Sequence, residues 1–184
     1  GLATAGLESL HELLLGNNKI ERIEGLSNLP RLQLLDLSYN AIRTIEGLEY
    51  VASTLIELQL NGNRLQSLGE GFKAAQSCSE AWGTLATLGV ANNQLSSFEG
   101  IEPLAPRLRE LYAADNRIES LAPLAPFADL CVLDVGANRL RGLNELPPLP
   151  NLGDLWLSLN LGLAPPPEGT AEALGACFEP LSRL

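Results

Sequence analysis

Residues 10–20 read LHELLLGNNKI, and residues 32–42 read LQLLDLSYNAI. Both stretches have leucine at the first, fourth and sixth positions, asparagine at the ninth and isoleucine at the eleventh. Leucines that are two residues apart point to the same side of a β-strand, so each stretch predicts a short strand with one buried side. The asparagine then lies where the chain turns out of that strand. Each stretch therefore predicts both a strand and its exit.

The same spacing occurs five more times along the chain, which makes seven copies. Their asparagines are Asn18, Asn40, Asn63, Asn93, Asn116, Asn138 and Asn160, at steps of 22, 23, 30, 23, 22 and 22 residues. Units of about 20–29 residues with this pattern are leucine-rich repeats, whose stacking buries one continuous core. The sequence therefore predicts one domain over residues 1–184, an α/β leucine-rich-repeat solenoid with a parallel sheet on its concave face.

The turn asparagines and the segments that follow them have predicted structural roles. A buried asparagine amide can satisfy main-chain groups that the turn leaves unpaired, in its own coil and in the next one. Leu26 and Leu29 are three residues apart, which favours a short helical or 3₁₀ turn, and Pro30 discourages its continuation. We therefore expect short helical or 3₁₀ segments on the convex side.

Two places depart from the regular repeat. The 30-residue step contains an insertion at about residues 69–84, where Phe72 and Trp82 are expected to pack against the convex side. A second contact site at these aromatics is the alternative. The tail, at about residues 165–184, begins with three prolines and is either a C-terminal cap, with a helix over residues 171–178, or a truncated eighth repeat.

Composition and charge narrow the possible functions. The formal charge is −10, with only 12 lysines and arginines. Nucleic acids and anionic membranes are bound through basic residues, so we expect neither; the charge either attracts a basic protein partner or only keeps the protein soluble. Cys78, Cys131 and Cys177 have no metal-ligand spacing and form no terminal disulfide cluster, which favours an intracellular location. No stretch approaches membrane-spanning length, and no signal peptide is visible.

Residues that could carry out catalysis are scarce. His11 is the single histidine, and no nucleophile motif accompanies it. No spacing typical of a metal site, a phosphate-binding loop or a dinucleotide-binding turn occurs. We therefore predict no catalytic, cofactor-binding or metal-binding residues and expect that the protein is not an enzyme. A hydrolase is the least favoured of three function hypotheses.

The outward-facing strand residues are informative because the repeat leaves them free to vary. Six of them are acidic and none is basic; the acidic ones are Glu12, Asp36, Glu57, Glu110, Asp134 and Asp154. Tyr112 and Trp156 share a column with Asp134 on successive strands. Tyrosine and tryptophan are common in binding hot spots, and carboxylates steer basic partners. The sequence predicts a partner-binding surface of Glu110, Tyr112, Asp134, Asp154 and Trp156, with Asp36 and Glu57 as further contacts.

The segments between the strands carry a family resemblance. Residues 20–26 read IERIEGL and residues 42–48 read IRTIEGL. With the 22-residue period, they resemble the intracellular leucine-rich-repeat subfamily typified by the regulatory subunit of type-1 protein phosphatase. Residues 109–112, 132–134 and 154–156 look like the late repeats of that regulator. The light chain that docks axonemal dynein in cilia and a spliceosomal scaffold use the same repeat.

The resemblance implies a function. In the phosphatase regulators, concave acidic and aromatic residues contact the catalytic subunit, and the matching positions here are Glu110, Tyr112, Asp134, Asp154 and Trp156. The first hypothesis is a regulatory or targeting subunit of a type-1 protein phosphatase. The second is a structural component of a ciliary axoneme or another large assembly. Both describe a scaffold without cofactors that binds a basic partner protein in the cytoplasm, nucleus or cilium.

Overall fold

Seven short strands form a single parallel sheet in the computed structural model, which describes residues 6–74, 81–143 and 146–163. The strands follow one another in chain order: β1 (Glu12–Leu14), β2 (Leu34–Asp36), β3 (Glu57–Gln59), β4 (Thr87–Gly89), β5 (Glu110–Tyr112), β6 (Val132–Asp134) and β7 (Asp154–Trp156). Each strand pairs with the equivalent positions of the next, so the repeats stack in register. The predicted leucine-rich-repeat solenoid is confirmed.

Leucines at the central strand positions build the core. Their side chains are fully buried in the middle coils, at Leu35, Leu58, Leu88, Leu111 and Leu133. The strand residues on either side point the other way, mostly remaining partly exposed, as the two-residue period of a strand requires. This alternation separates a structural face from a face that is open to solvent.

The turn asparagines join neighbouring coils. Asn116 Oδ1 accepts a hydrogen bond from Leu95 N at 2.9 Å, and Asn116 Nδ2 donates to Val90 O at 2.9 Å and to Ala113 O at 3.2 Å. Leu95 and Val90 belong to the preceding coil, and equivalent bonds link Asn40, Asn63, Asn93, Asn138 and Asn160 to their preceding coils. The prediction that the amide reaches the next coil was therefore wrong in direction.

Asn18 differs because no described coil precedes it. Its Nδ2 donates only within its own turn, to Leu15 O and Gly16 O, both at 3.1 Å, and its side chain is exposed. The expectation that all seven asparagines are buried therefore fails at Asn18, and Asn40 is only half-buried. Within the described residues, an asparagine is buried only where it has a coil on which to stack.

The residue before each asparagine adopts a left-handed backbone conformation. Its φ lies between +50° and +65° in all seven repeats, at Asn17, Tyr39, Gly62, Asn92, Asp115, Ala137 and Leu159. This conformation costs a residue with a side chain about 1–2 kcal/mol. The turn bends the chain sharply after the strand and directs the following asparagine toward the preceding coil, where the described chain has one.

The convex side contains the predicted short segments. 3₁₀ turns lie at Glu102–Leu104 and Ala122–Leu124, and a proline near the start of each suits the required φ. Between residues 23 and 30 the chain forms a hydrogen-bonded turn, with Leu29 N donating to Leu26 O at 3.2 Å, but no helix. Among the described residues, no helix has the length and apolar character needed to cross a bilayer.

The insertion is part of the core. It begins with a helix, α1 (Gly69–Ala74), and both Phe72 and Trp82 are fully buried. Their rings meet edge to face at 5.0 Å, and Trp82 Nε1 donates to Phe72 O at 3.0 Å. The expected packing is confirmed, and these aromatics offer no second contact site. Residues 75–80 with Cys78, and the tail with its predicted cap and Cys177, lie outside the described residues.

Candidate protein-binding face

Five predicted contact residues lie together on β5, β6 and β7. Tyr112, Asp134 and Trp156 form one column across the sheet, and Glu110, Val132 and Asp154 form the adjacent column. Both columns belong to the face that the core does not use, and Trp156 is 51% exposed. We call Glu110, Tyr112, Asp134, Asp154 and Trp156 the concave patch.

The two aromatic rings of the concave patch approach each other across β6. Their centroids are 6.3 Å apart and their planes are tilted by 38°. Two strand steps separate the backbones by about 9.6 Å. The rings therefore lean toward each other over the strand that carries Asp134.

Hydrogen bonds fix two of the carboxylates. Tyr112 Oη donates to Glu110 Oε2 at 3.2 Å, and Thr87 Oγ1 donates to the same oxygen at 3.4 Å. The backbone N–H of Gly136 donates to Asp134 Oδ1 at 2.9 Å. Each of these carboxylates therefore has one oxygen engaged within the protein and a second one available to a partner.

The environment of Tyr112 keeps its phenol neutral. Partial burial is the main cause that raises the pKa of Tyr112 above its ordinary value of about 10. The charge and hydrogen bond of Glu110 raise this pKa further, as do the charges of Asp134 and Asp154. All three carboxylates are thus close enough to act on one aromatic side chain, which makes the concave patch a compact region of negative potential.

Asp36 and Glu57 lie apart from the concave patch. Asp36 is on β2, three strand steps or roughly 14 Å from Tyr112 in the same column. Glu57 on β3 accepts a hydrogen bond at 3.0 Å from Gln59 Nε2. Glu57 is two strand steps, or roughly 10 Å, from Glu110 in the same column, with Thr87 between them, so neither of these two predicted contacts adjoins the other five.

The amide side chains of Gln59 and Asn61 form a pair between Asp36 and the concave patch. Asn61 Nδ2 donates to Gln59 Oε1 at 2.7 Å, and Asn61 Oδ1 accepts from Ala91 N at 2.9 Å. Gln59 extends over Gly89, where a Cβ atom would overlap its Oε1. No role for this pair was predicted from the sequence. Its signal was the glycine at the position next to Gln59 in the same column.

The other features that bear on chemistry lie away from the concave patch. His11 is exposed beside β1. Within residues 6–74, 81–143 and 146–163, no three His, Cys, Asp or Glu side chains are grouped so that they could hold a metal ion. A cleft of about 390 Å³ at the first coil is lined by Leu15, Ile20 and Ile23, and another of about 440 Å³ includes Arg139 and Leu161. The concave patch itself is an open surface, which suits a protein partner better than a small molecule.

The chain is a parallel solenoid with acidic and aromatic residues on its open sheet face. This is the architecture of a leucine-rich-repeat protein-interaction scaffold. The family described as Leucine Rich repeats (2 copies) matches residues 8–50. Among solved structures, a leucine-rich-repeat protein of Leptospira interrogans superposes with a TM-score of 0.71 at 28% sequence identity, covering 85% of this chain and 38% of that one.

Two sequence relatives bear on the subfamily. The chain is 28% identical over 157 residues to the protein phosphatase 1 regulatory inhibitor subunit homolog of Arabidopsis thaliana, covering 83% of this chain and 45% of that protein. It is 32% identical over 155 residues to human leucine-rich repeat-containing protein 56, covering 80% and 27%. The resemblance stated from the repeats is confirmed. The chain spans less than half the length of these relatives.

Proposed function

We propose that this protein is a non-catalytic regulatory or targeting subunit that binds the catalytic subunit of a type-1 protein phosphatase through the concave patch. The main observation in support of this proposal is the exposed aromatic pair, Tyr112 and Trp156. The fold buries Trp82 completely but leaves half of the Trp156 side chain in solvent, beside Tyr112. Tryptophan and tyrosine dominate binding hot spots, so an unburied pair on a sheet face is the strongest anchor that the described chain offers.

The charge of the face supports a basic partner. The outward strand positions carry six carboxylates and no lysine or arginine. Asp36 and Glu57 add to the negative potential that attracts a basic surface, without the close contact proposed for the concave patch. The similarity to a plant protein named as a phosphatase 1 regulatory inhibitor subunit supports this choice of partner. The proposed setting is intracellular, in the cytoplasm or nucleus.

Direct binding to the purified catalytic subunit tests the proposal. We expect the wild-type chain to bind and Trp156→Ala to weaken the binding about thirty-fold, the loss typical of a hot spot of about 2 kcal/mol. Trp156→Phe, which keeps an aromatic ring, should lose less. Tyr50→Ala is the matched control, because Tyr50 is 58% exposed but lies outside the strands.

Two results would overturn the proposal. If the wild-type chain does not bind the catalytic subunit, the phosphatase is not its partner. Recovery of tubulin or dynein subunits from a cell lysate would then favour the axonemal function. If Trp156→Ala and Tyr50→Ala weaken phosphatase binding equally, the concave patch is not the binding site.

A further inference from the structure

The carboxylates of the concave patch have no ion-pair partner within the described residues. Glu110, Asp134 and Asp154 form no ion pair there, whereas Arg22 pairs with Glu46 and Arg141 with Glu119 outside the strands. Placing like charges close together is unfavourable unless water or a cation compensates them. A partner that brings a cation to this position therefore gains an interaction that the free protein does not satisfy.

The aromatic rings define where that cation fits. A cation interacts with an aromatic face when it lies within about 6 Å of the ring centroid. Because the Tyr112 and Trp156 centroids are only 6.3 Å apart, one cation can meet this condition for both rings at once. Asp134 lies on the strand between them, so the same cation also faces a carboxylate.

The second oxygen of Asp134 completes the site. Asp134 Oδ1 is held by Gly136 N at 2.9 Å, which restrains the orientation of the carboxylate and leaves Oδ2 as an acceptor. Glu110 is restrained in the same way by Tyr112 Oη at 3.2 Å. Acceptors that are already oriented lose little rotamer freedom when a donor binds.

We propose that the concave patch binds one arginine side chain of its partner, with the guanidinium against the Tyr112 and Trp156 rings and its N–H groups donating to Asp134. This inference rests on the proposed use of the concave patch as a docking surface. Arginine fits better than lysine, because a guanidinium is planar, weakly hydrated and able to stack on a ring while it donates in its own plane. An ammonium ion keeps its hydration and does not stack.

Short peptides test the proposal without the partner. The probes are acetyl-Gly-Arg-Gly-amide, its lysine analogue and its citrulline analogue, which keeps the planar shape without the charge. We expect the arginine peptide to bind with a dissociation constant in the millimolar range, the lysine peptide about three- to ten-fold more weakly, and the citrulline peptide not measurably. In ¹⁵N–¹H spectra the Trp156 indole signal should shift, and the buried Trp82 indole signal should not.

Matched variants localise the binding. Asp134→Asn removes the charge but keeps an oxygen that can accept from Gly136 N. Asp36→Asn is its counterpart on β2, where Asp36 Oδ1 accepts from Ser38 N at 2.8 Å and no aromatic residue is in the adjacent column positions. Asp134→Asn and Trp156→Ala should each reduce arginine binding at least ten-fold, and Asp36→Asn less than two-fold.

Equal binding of the arginine and lysine peptides would overturn the proposal, and so would equal losses in Asp134→Asn and Asp36→Asn. Those results would indicate a diffuse acidic surface. The outcome is separable from the proposed function: loss of the phosphatase in Trp156→Ala without any arginine preference would leave the docking surface intact and reject the arginine site alone.

Discussion

Tyr112 and Trp156 lie on strands two steps apart, yet their ring centroids are separated by only 6.3 Å. In the core, such proximity follows from close packing, but Trp156 is half exposed. Aromatic pairs contribute about 0.5–1.5 kcal/mol beyond the area that they bury. The pair therefore holds both rings in place over Asp134 while leaving them accessible to a partner.

The two tryptophans should differ sharply in their effect on stability. Trp82→Ala removes a fully buried side chain and the hydrogen bond to Phe72 O, so it should lower the free energy of unfolding by about 3–5 kcal/mol. Trp156→Ala should cost about 1 kcal/mol or less, because half of that side chain is in solvent. Urea denaturation measures both. Equal costs would mean that the roles assigned to the two residues are wrong.

The asparagine bonds between coils predict a second pair of variants. Asn116→Ala leaves Leu95 N without its partner inside the protein and removes one of the two amide groups that donate to Val90 O, so it should cost about 2–3 kcal/mol. Asn18→Ala should cost under about 1 kcal/mol, because Asn18 is exposed and bonds only within its own turn. Equilibrium denaturation measures the free energy of unfolding of both variants, provided that their m-values equal that of the wild-type chain. A similar cost at both positions would contradict the role in joining coils.

Gly100 and Gly6 separate backbone strain from close packing. Both have left-handed φ, at +91° and +86°. A Cβ on Gly100 would overlap the Cα of Gly69 at the start of α1, whereas nothing lies within 4 Å of a Cβ on Gly6. Gly6→Ala should therefore cost about 1–2 kcal/mol from the left-handed backbone alone, and Gly100→Ala, which adds the overlap with Gly69, at least about 3 kcal/mol. Thermal unfolding of the two variants checks this order, and a reversed order would argue against the docking of α1 on Gly100.

The raised pKa of Tyr112 predicts a titration. In a Tyr39→Phe, Tyr50→Phe background, Tyr112 is the one remaining tyrosine, and its ¹³Cζ signal should titrate above pH 10. Glu110→Gln should lower the midpoint without restoring the ordinary value, since burial is the larger cause. A midpoint at or below the ordinary tyrosine value would contradict the described surroundings.

The same shift has a consequence for stability. A pKa that is higher in the folded state favours the neutral phenol there. The contribution to stability is therefore fully present below the unfolded pKa of about 10 and is lost as pH rises through the folded pKa. Denaturation at pH 9 and pH 11 should show a smaller pH-dependent loss of stability in a Tyr112→Phe variant than in the wild-type chain.

The regular part of the fold could be predicted because the repeat encodes it. Central strand leucines, turn asparagines and the column of Tyr112, Asp134 and Trp156 all follow from a fixed residue period. The repeat pattern does not indicate whether each asparagine side chain bonds to the preceding or to the following coil. This direction therefore could not be predicted. The prediction that Asn18 is buried was wrong for a related reason. The burial of this side chain depends on a neighbouring coil and not on the residue itself.

The neighbouring positions of the five predicted contact residues follow from the sequence, but the arrangement of their side chains does not. Sequence spacing placed five contacts on adjacent strands, yet the leaning of Tyr112 toward Trp156 depends on side-chain rotamers. The position of the Gln59 side chain over Gly89, between Asp36 and the concave patch, depends on rotamers as well. The hydrogen bond from Tyr112 to Glu110 was within reach, because residues two apart on a strand share a face.

Affinity purification from a cell lysate, with quantitative comparison of the bound proteins, tests the docking surface most directly. We expect the partner recovered with the wild-type chain to be depleted at least ten-fold with a Tyr112→Ala, Trp156→Ala double variant. We expect full recovery with a Tyr39→Ala, Tyr50→Ala control, which removes two exposed tyrosines outside the strands. Retention of every wild-type partner by the Tyr112, Trp156 variant would contradict the claim that the concave patch binds a protein.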